Sequence, residues 1–296
     1  MKIGFLGGDR RMLSAAASLS GEFECALWGY GQALTGESSR QMLCNCVRCA
    51  DWSSAVKAAD AVILPLPASK DGKTLNMPLG EGEPPKLLDV VREMKVGASL
   101  FGGKLPFLLK EAAAESGVEA VDYYEDEALQ IRNAVPTAEG AIAACISALP
   151  VTVAGMRTAV SGYGRVGRTL AQRLKSLGAE VYAVARNPRD LAWAACDGCI
   201  PVKLDEYRKT PVWCTAVFNT VPVRIFDEEL LAKLPVETVI FELATASAGV
   251  DTEAAKSIGI RVIPLDSLPG KTSPDTAGEI IADAVRSAIY AGGGHG

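Results

Sequence analysis

The residues of this chain whose types and spacing can do chemistry gather in TAVSGYGRVGRTLAQRL, from Thr158 to Leu174. Gly162, Gly164 and Gly167 follow the apolar run Thr158 to Val160 in the spacing GxGxxG, with Leu170 and Leu174 behind them at helical spacing. The pattern predicts strand, tight turn and helix. Gly162 makes the turn, Gly164 lets the backbone approach a pyrophosphate, and Gly167 lets the helix pack closely on the strand. Arg165, Val166 and Gly167 then open a helix whose free N–H groups and positive dipole end suit phosphate. A second strand, Glu180 to Ala185, begins just past Gly178 and completes half of a βαβ unit. Dinucleotide binding is the expected chemistry. The bland alternative is a turn that only packs.

The end of the second strand bears on which dinucleotide is bound. An NAD site places Asp or Glu there, about 20 residues past the glycines, to accept from the ribose 2′-hydroxyl. Here the sequence is VYAVARNPRD, with Ala185 near the acid position and Arg186, Asn187 and Arg189 after it. An acid repels a 2′-phosphate, whereas a guanidinium pairs with it through two hydrogen bonds. NADP is therefore favoured over NAD, with an ordinary solvated loop arginine as the alternative for Arg186.

The elements that must position these residues fit a two-domain α/β enzyme. The 296 residues suffice for two cores, and 49% hydrophobic residues, 22% charged residues and 29 glycines suit that class. A net charge of −5 with no long basic run argues against nucleic acid. Apolar stretches such as AVILPLPA from Ala61 are strand-sized, short of the ~20 residues of a membrane helix. The opening MKIGFLGGDRR does not have the form of a signal peptide, so a cytoplasmic location is expected. Of eight cysteines, Cys44, Cys46 and Cys49 form CxCxxC, and Cys196 and Cys199 form CxxC. The single histidine, His295, lies in the terminal AGGGHG and offers these thiols no help. Reduced thiols without metal are the expectation.

Residues 1–130 are expected to form a first Rossmann-like domain. Its strands are placed at Lys2 to Leu6, Cys25 to Trp28, Ala61 to Leu66, Ser99 to Phe101 and Ala120 to Tyr123, and its helices include Pro84 to Met94 and Pro106 to Glu115. Its glycine turn, Gly7 and Gly8, departs from GxGxxG and leads into Asp9 and a helix from about Arg11 to Leu19. Alternating strands and helices imply a parallel sheet covered on both faces, with ligands beyond the strands' carboxyl ends. Those ends carry Asp9 and Arg11, then PLPASKDGK from Pro65, then Gly102, Gly103 and Lys104. A helix starting at Pro136 and running to about Leu149 is expected to lead into the NADP domain, residues 131–276, with its amino terminus at an interdomain cleft. Thr137 and Glu139 sit at that start, where simple capping is the alternative role. Further strands fall at Ile200 to Lys203, Thr215 to Asn219, Thr238 to Leu243 and Arg261 to Pro264, six in all for this domain. Thr220, Val221 and Pro222, with Leu243 and Ala244, leave the fourth and fifth of them, where backbone lines the nicotinamide half of a cofactor. A loop is expected up to Thr276, and then an amphipathic helix, 277–292, carrying Ile280, Ile281, Val285 and Ile289, which crosses back to the first domain.

GGDRR at Gly7, NAVPTAEG at Asn133, SGYGRVG at Ser161, FNTVP at Phe218 and LPGKTSPDTAGEI at Leu268 together resemble the family of the dipicolinate synthase A subunit. The likeness spans nearly the whole chain. It implies NADP-dependent oxidation of dihydrodipicolinate to dipicolinate in the mother cell of a sporulating bacterium, and the implied partner is a flavoprotein-like B subunit. CxCxxC is a departure from the family pattern. A D-2-hydroxy-acid dehydrogenase shares the layout but needs a histidine to take the hydroxyl proton, and this chain has none outside its tail. Aromatising a dihydropyridine needs orientation and one C–H deprotonation. For that step Lys104, Glu139, or a water held by Asn133 and Thr137 are the candidates. Arg11, Lys104 and Asn133 are the candidate partners of two ring carboxylates, with Asp9 beside them. The rival readings are a shikimate- or methylenetetrahydrofolate-type NADP dehydrogenase, and a non-catalytic NADP-binding subunit supporting a partner. A homo-oligomer is compatible with each of them.

Overall fold

The computed structural model describes residues 1–34, 37–244 and 249–292. His295 and the end of the ELATA turn, Thr245 and Ala246, lie outside the described residues. The chain divides into two compact units, Met1–Arg132 with Ser273–Gly296, and Asn133–Thr272. Each is built on one six-stranded parallel sheet.

In unit 1 the strands are β1 (Lys2–Leu6), β2 (Glu24–Trp28), β3 (Cys46–Arg48), β4 (Ala61–Ile63), β5 (Ser99–Gly102) and β6 (Glu119–Asp122), in the order β3-β2-β1-β4-β5-β6. Alternation divides their side chains between two cores. Ile3, Phe5, Ala61 and Ile63 face the helices Arg10–Leu19 and Pro274–Gly292, while Leu6, Val62 and Leu100 face the helices Leu87–Glu93 and Phe107–Glu115. Apolar burial on both faces is what makes these strands continuously hydrophobic. The terminal helix does cross back to the first sheet. Ser14 donates to Asp275 at 2.6 Å, Arg286 and Tyr290 hold Glu22 at 2.8 and 2.9 Å, and a Cβ on Gly278 would collide with the carbonyl of Arg11.

Unit 2 contains β7 (Arg157–Ser161), β8 (Glu180–Ala185), β9 (Ile200–Lys203), β10 (Ala216–Asn219), β11 (Val239–Glu242) and β12 (Arg261–Pro264), in the order β12-β11-β10-β7-β8-β9. Both sheets therefore have the doubly wound order, which reverses beside the first strand of each. The helix Arg165–Ser176 buries Gly167, Leu170, Ala171 and Leu174, a stripe with i, i+3, i+4, i+7 spacing, and carries Arg173 and Lys175 in its last turn, where the dipole favours cations. Phe218 and Phe241 stack beneath it with ring centroids 4.9 Å apart.

Two expectations need correction, and one element was not foreseen. Cys46–Arg48 is a sixth strand of unit 1. The helix expected to start at Pro136 begins nine residues earlier, as Glu127–Ala148, and holds Pro136 in its interior. Pro136 has no N–H to give, but Ala134, Ala138 and Ala141 are fully packed around it, and this burial outweighs the lost hydrogen bond. The loop expected before Thr276 contains the short helix Leu268–Thr272, and the last helix starts at Pro274.

Candidate functional site

The glycine turn between β7 and the helix Arg165–Ser176 assigns a distinct task to each glycine. Gly162 has φ +91°, the left-handed region, and its N–H donates to Val184 O at 2.9 Å, tying the turn to β8. A Cβ on Gly167 would collide with the Gly162 carbonyl, so the helix approaches the strand only without a side chain there. Gly164, the N-cap with φ −80°, faces open space: nothing lies within 4 Å of where its Cβ would be. Gly164 and Arg165 are exposed, and Val166 is half-buried. An exposed, side-chain-free helix entry is the cradle that a pyrophosphate requires. The residues present fit a dinucleotide.

The tyrosine inside this turn is pinned from the far side. The Tyr163 hydroxyl donates to Asp197 at 3.0 Å, and Arg168 grips the same carboxylate at 2.7 and 3.1 Å while lying 4.1 Å from the Trp193 ring centroid. The Arg168 guanidinium holds the Asp197 carboxyl below the usual carboxylate range, and burial pushes the Tyr163 phenol well up.

At the end of β8, Ala185 is buried and Arg186 is exposed with no hydrogen bond or ion pair among the described residues. Asn187 is the N-cap of the helix Pro188–Cys196: its side-chain oxygen accepts from Arg189 N at 3.0 Å, with Pro188 in the first turn. Its amide N–H groups alone are left for a ligand.

Beyond β10, Thr220 donates through both N and Oγ1 to Ser161 O, at 2.9 and 2.8 Å, which sets the Thr220–Val221–Pro222 turn beside the glycine turn. Leu243 N donates to Asn219 O at 2.8 Å and Ala244 N to Glu242 Oε1 at 2.8 Å. Sequence reasoning named the turns and missed what lies beneath them, the buried pair Asn219 and Glu242. The signal was available: AVFN and VIFE each end an apolar, buried strand on a polar side chain.

In unit 1 the corresponding crevice is closed by the chain itself. Gly8 N donates to Asn76 O at 3.0 Å and Leu75 packs against Gly7. Asp71 ties down the start of this covering segment, accepting from Lys73 N, Thr74 N and the Thr74 and Ser69 hydroxyls, which together hold its carboxyl well below the ordinary range. The candidate substrate residues are engaged to different degrees. Asp9 caps the helix Arg10–Leu19 and binds Arg11 through bonds of 2.8 to 3.1 Å, and Arg11 Nη2 also donates to Leu66 O at 2.6 Å. This buried guanidinium is already neutralised. Lys104 is exposed and has φ +55°, a left-handed backbone that costs about 1–2 kcal/mol outside glycine. Asp122 offsets that strain by accepting from Lys104 N and Leu105 N at 3.0 and 2.8 Å, and Lys104 Nζ lies 5.1 Å from the Tyr124 ring centroid.

Asn133, Thr137 and Glu139 belong to unit 2, about two to three turns inside the helix Glu127–Ala148, so none of them caps it. The Thr137 hydroxyl donates to Asn133 O at 2.8 Å, and exposed Glu139 meets Arg173 at 3.3 Å. All eight cysteines are free thiols, and among the described residues no group of three or more His, Cys, Asp or Glu is gathered to hold a metal.

Comparisons with known proteins agree with this architecture. Residues 2–124 match the N-terminal domain of the dipicolinate synthase A subunit, and residues 136–261 match the NAD binding domain of D-isomer specific 2-hydroxyacid dehydrogenases. The dipicolinate synthase A subunit of Bacillus subtilis (strain 168) is 28% identical over 286 residues, 96% of this chain and 94% of that protein. The crystal structure of the dipicolinate synthase A subunit from Bacillus halodurans superposes with a TM-score of 0.84 at 26% identity, covering 97% of each chain. That of the corresponding chain from Bacillus subtilis gives 0.84 at 28% identity, covering 98% of this chain and 96% of that one.

Proposed function

For a chain similar to the dipicolinate synthase A subunit from one end to the other, we propose the NADP-dependent oxidation of dihydrodipicolinate to dipicolinate. The matched NAD binding domain supports a nicotinamide cofactor and a dehydrogenase-type role, and the finer reading adds phosphate choice and substrate. The observation that carries it is the open Gly164 cradle on β7, followed by Arg186 where an acid would exclude a 2′-phosphate. The proposed setting is the cytoplasm of a sporulating mother cell, and the proposed partner is a second, flavoprotein-like subunit.

When bound, NADP supplies the hydride acceptor. The substrate loses a hydride from one ring carbon and a proton from the ring, so dihydrodipicolinate and NADP⁺ give dipicolinate, NADPH and H⁺. No alcohol is oxidised, which suits a chain whose single histidine is His295. The protein's task is then orientation. Thr220, Val221 and Pro222, with Leu243 and Ala244, line the nicotinamide half, and Arg165, Val166 and Gly167 present N–H groups to the pyrophosphate. Lys104 is the proposed carboxylate partner and deprotonation aid, since Asp122 holds its backbone in a strained form while its ammonium stays exposed. Asn133 and Thr137 remain candidates to hold a water. Arg11 and Glu139 take lesser parts, the first orienting Asp9 and the second engaged by Arg173.

These engagements favour one alternative, a subunit that binds NADP and supports a partner holding the chemistry. Lys104→Ala tests the catalytic reading at the residue proposed to meet the substrate. For a catalytic chain in which bound substrate desolvates that ammonium, it lowers kcat/KM by about 2–5 kcal/mol and leaves NADP affinity unchanged in a direct titration. An unchanged kcat/KM removes Lys104 from the site.

A further inference from the structure

Three neighbouring strands of unit 2 end on buried polar side chains, Ser161 on β7, Asn219 on β10 and Glu242 on β11. They are in register, Asn219 opposite Ser161 and opposite Glu242, and fall on the sheet face that two residues earlier carries Ala159, Val217 and Ile240. Glu242 is 2% exposed and Asn219 is fully buried. Burying a carboxyl group is unfavourable unless donors meet it, and here they do. Asn219 Nδ2 lies 3.0 Å from both Glu242 oxygens and Ala244 N lies 2.8 Å from one of them. The backbone of Gly249 closes over the pair so tightly that a Cβ there would strike Asn219 Nδ2.

An apolar pair of similar volume would serve stability as well. The use of the carboxylate lies in direction. Burial raises the Glu242 carboxyl above its ordinary range, and the Asn219 and Ala244 N–H groups pull it back; in its ionised form it only accepts, so it fixes which way the Asn219 amide points. Asn219 then binds both backbone groups of Val221, accepting from its N–H at 3.2 Å and donating to its carbonyl at 3.1 Å. With Thr220 anchored on Ser161 O, the turn is held from beneath at two successive residues.

We propose that Glu242 is a positioning residue: through Asn219 it sets the Thr220–Pro222 turn against the nicotinamide ring and so governs the nicotinamide half of the cofactor site alone. The inference rests on the dinucleotide reading of unit 2 and deepens it. Glu242→Gln keeps the volume but places an NH₂ group among donors, and Asn219→Ser keeps the carboxylate but cannot reach Val221.

The test titrates the full-length chain and both variants with NADPH and with 2′-phospho-ADP-ribose, which lacks nicotinamide, and records the fluorescence of bound NADPH. Each variant is expected to bind NADPH about tenfold more weakly, the loss of one or two hydrogen bonds, and to shift its emission. Affinity for 2′-phospho-ADP-ribose stays within about twofold of wild type. Equal weakening of both ligands, or unchanged NADPH affinity and emission in either folded variant, overturns the proposal. Wild-type chain that binds neither of these ligands nor NADH overturns the dinucleotide reading itself, and the role of Glu242 with it.

Discussion

Arg186 carries the sharpest claim that a single residue makes here. It follows buried Ala185 at the end of β8, exposed and without a described partner, so under the proposed function its guanidinium is available to a 2′-phosphate. Arg186→Ala is expected to weaken NADP by about 1.5–3 kcal/mol, the range of a charge-assisted hydrogen bond, and to leave NAD nearly unchanged. Parallel titrations of the two cofactors check it, and equal weakening of both refutes it. At this scale the glycine fingerprint was legible, because turn, close packing and phosphate approach are local demands that only glycine meets. The pairing of Asn219 with Glu242 was not, since the two lie on neighbouring strands 23 residues apart, although the polar end of each strand could be read. Nor did the sequence disclose that Asp9 neutralises Arg11, a contact that depends on the helix entry bending Arg11 back over its own cap.

Among the elements, the six strands of unit 2 were readable because each carries a short run of β-branched or apolar residues between glycine, proline or polar ones. β3 escaped notice: it has three residues, lies at the sheet edge and has one half-buried and two exposed side chains. Pro136 misled in the other direction. Its preference for a helix's first turn was overruled by the packing of Ala134, Ala138 and Ala141 on a helix already begun at Glu127. The terminal helix Pro274–Gly292 is as much a part of unit 1 as its strands, since Ile280, Ile281 and Val285 complete the core over Ile3 and Phe5. At Gly278 it meets the helix Arg10–Leu19 so closely that a Cβ would collide with the Arg11 carbonyl. Gly278→Val should therefore overpack that contact at about 1–3 kcal/mol, lowering the melting temperature of unit 1 in calorimetry by about 2–4 °C per kcal/mol. NADP affinity, a property of unit 2, should hold. An unchanged melting temperature would show that the two helices separate without loss.

The whole molecule repeats one architecture twice and uses it in two ways. Both units share a strand order, and in both the sheet begins with strand, glycine turn and helix. In unit 1 the Leu75–Asn76 segment covers that turn, whereas in unit 2 Gly164 opens to solvent. Under the proposed function, the dinucleotide therefore goes to unit 2. The fold class was legible because alternating strands and helices leave little choice of sheet. The covered turn was not, because a separation of about 70 residues joins Gly8 to Asn76 and no local pattern announces it. The measurement that tests the account most directly follows absorbance in the NADPH band when purified chain, NADP and freshly generated dihydrodipicolinate are mixed, with and without the second subunit. The account predicts NADPH formed in step with dipicolinate and dependent on this chain. Bound NADP that stays oxidised under both conditions, while dihydrodipicolinate remains in solution, would contradict it.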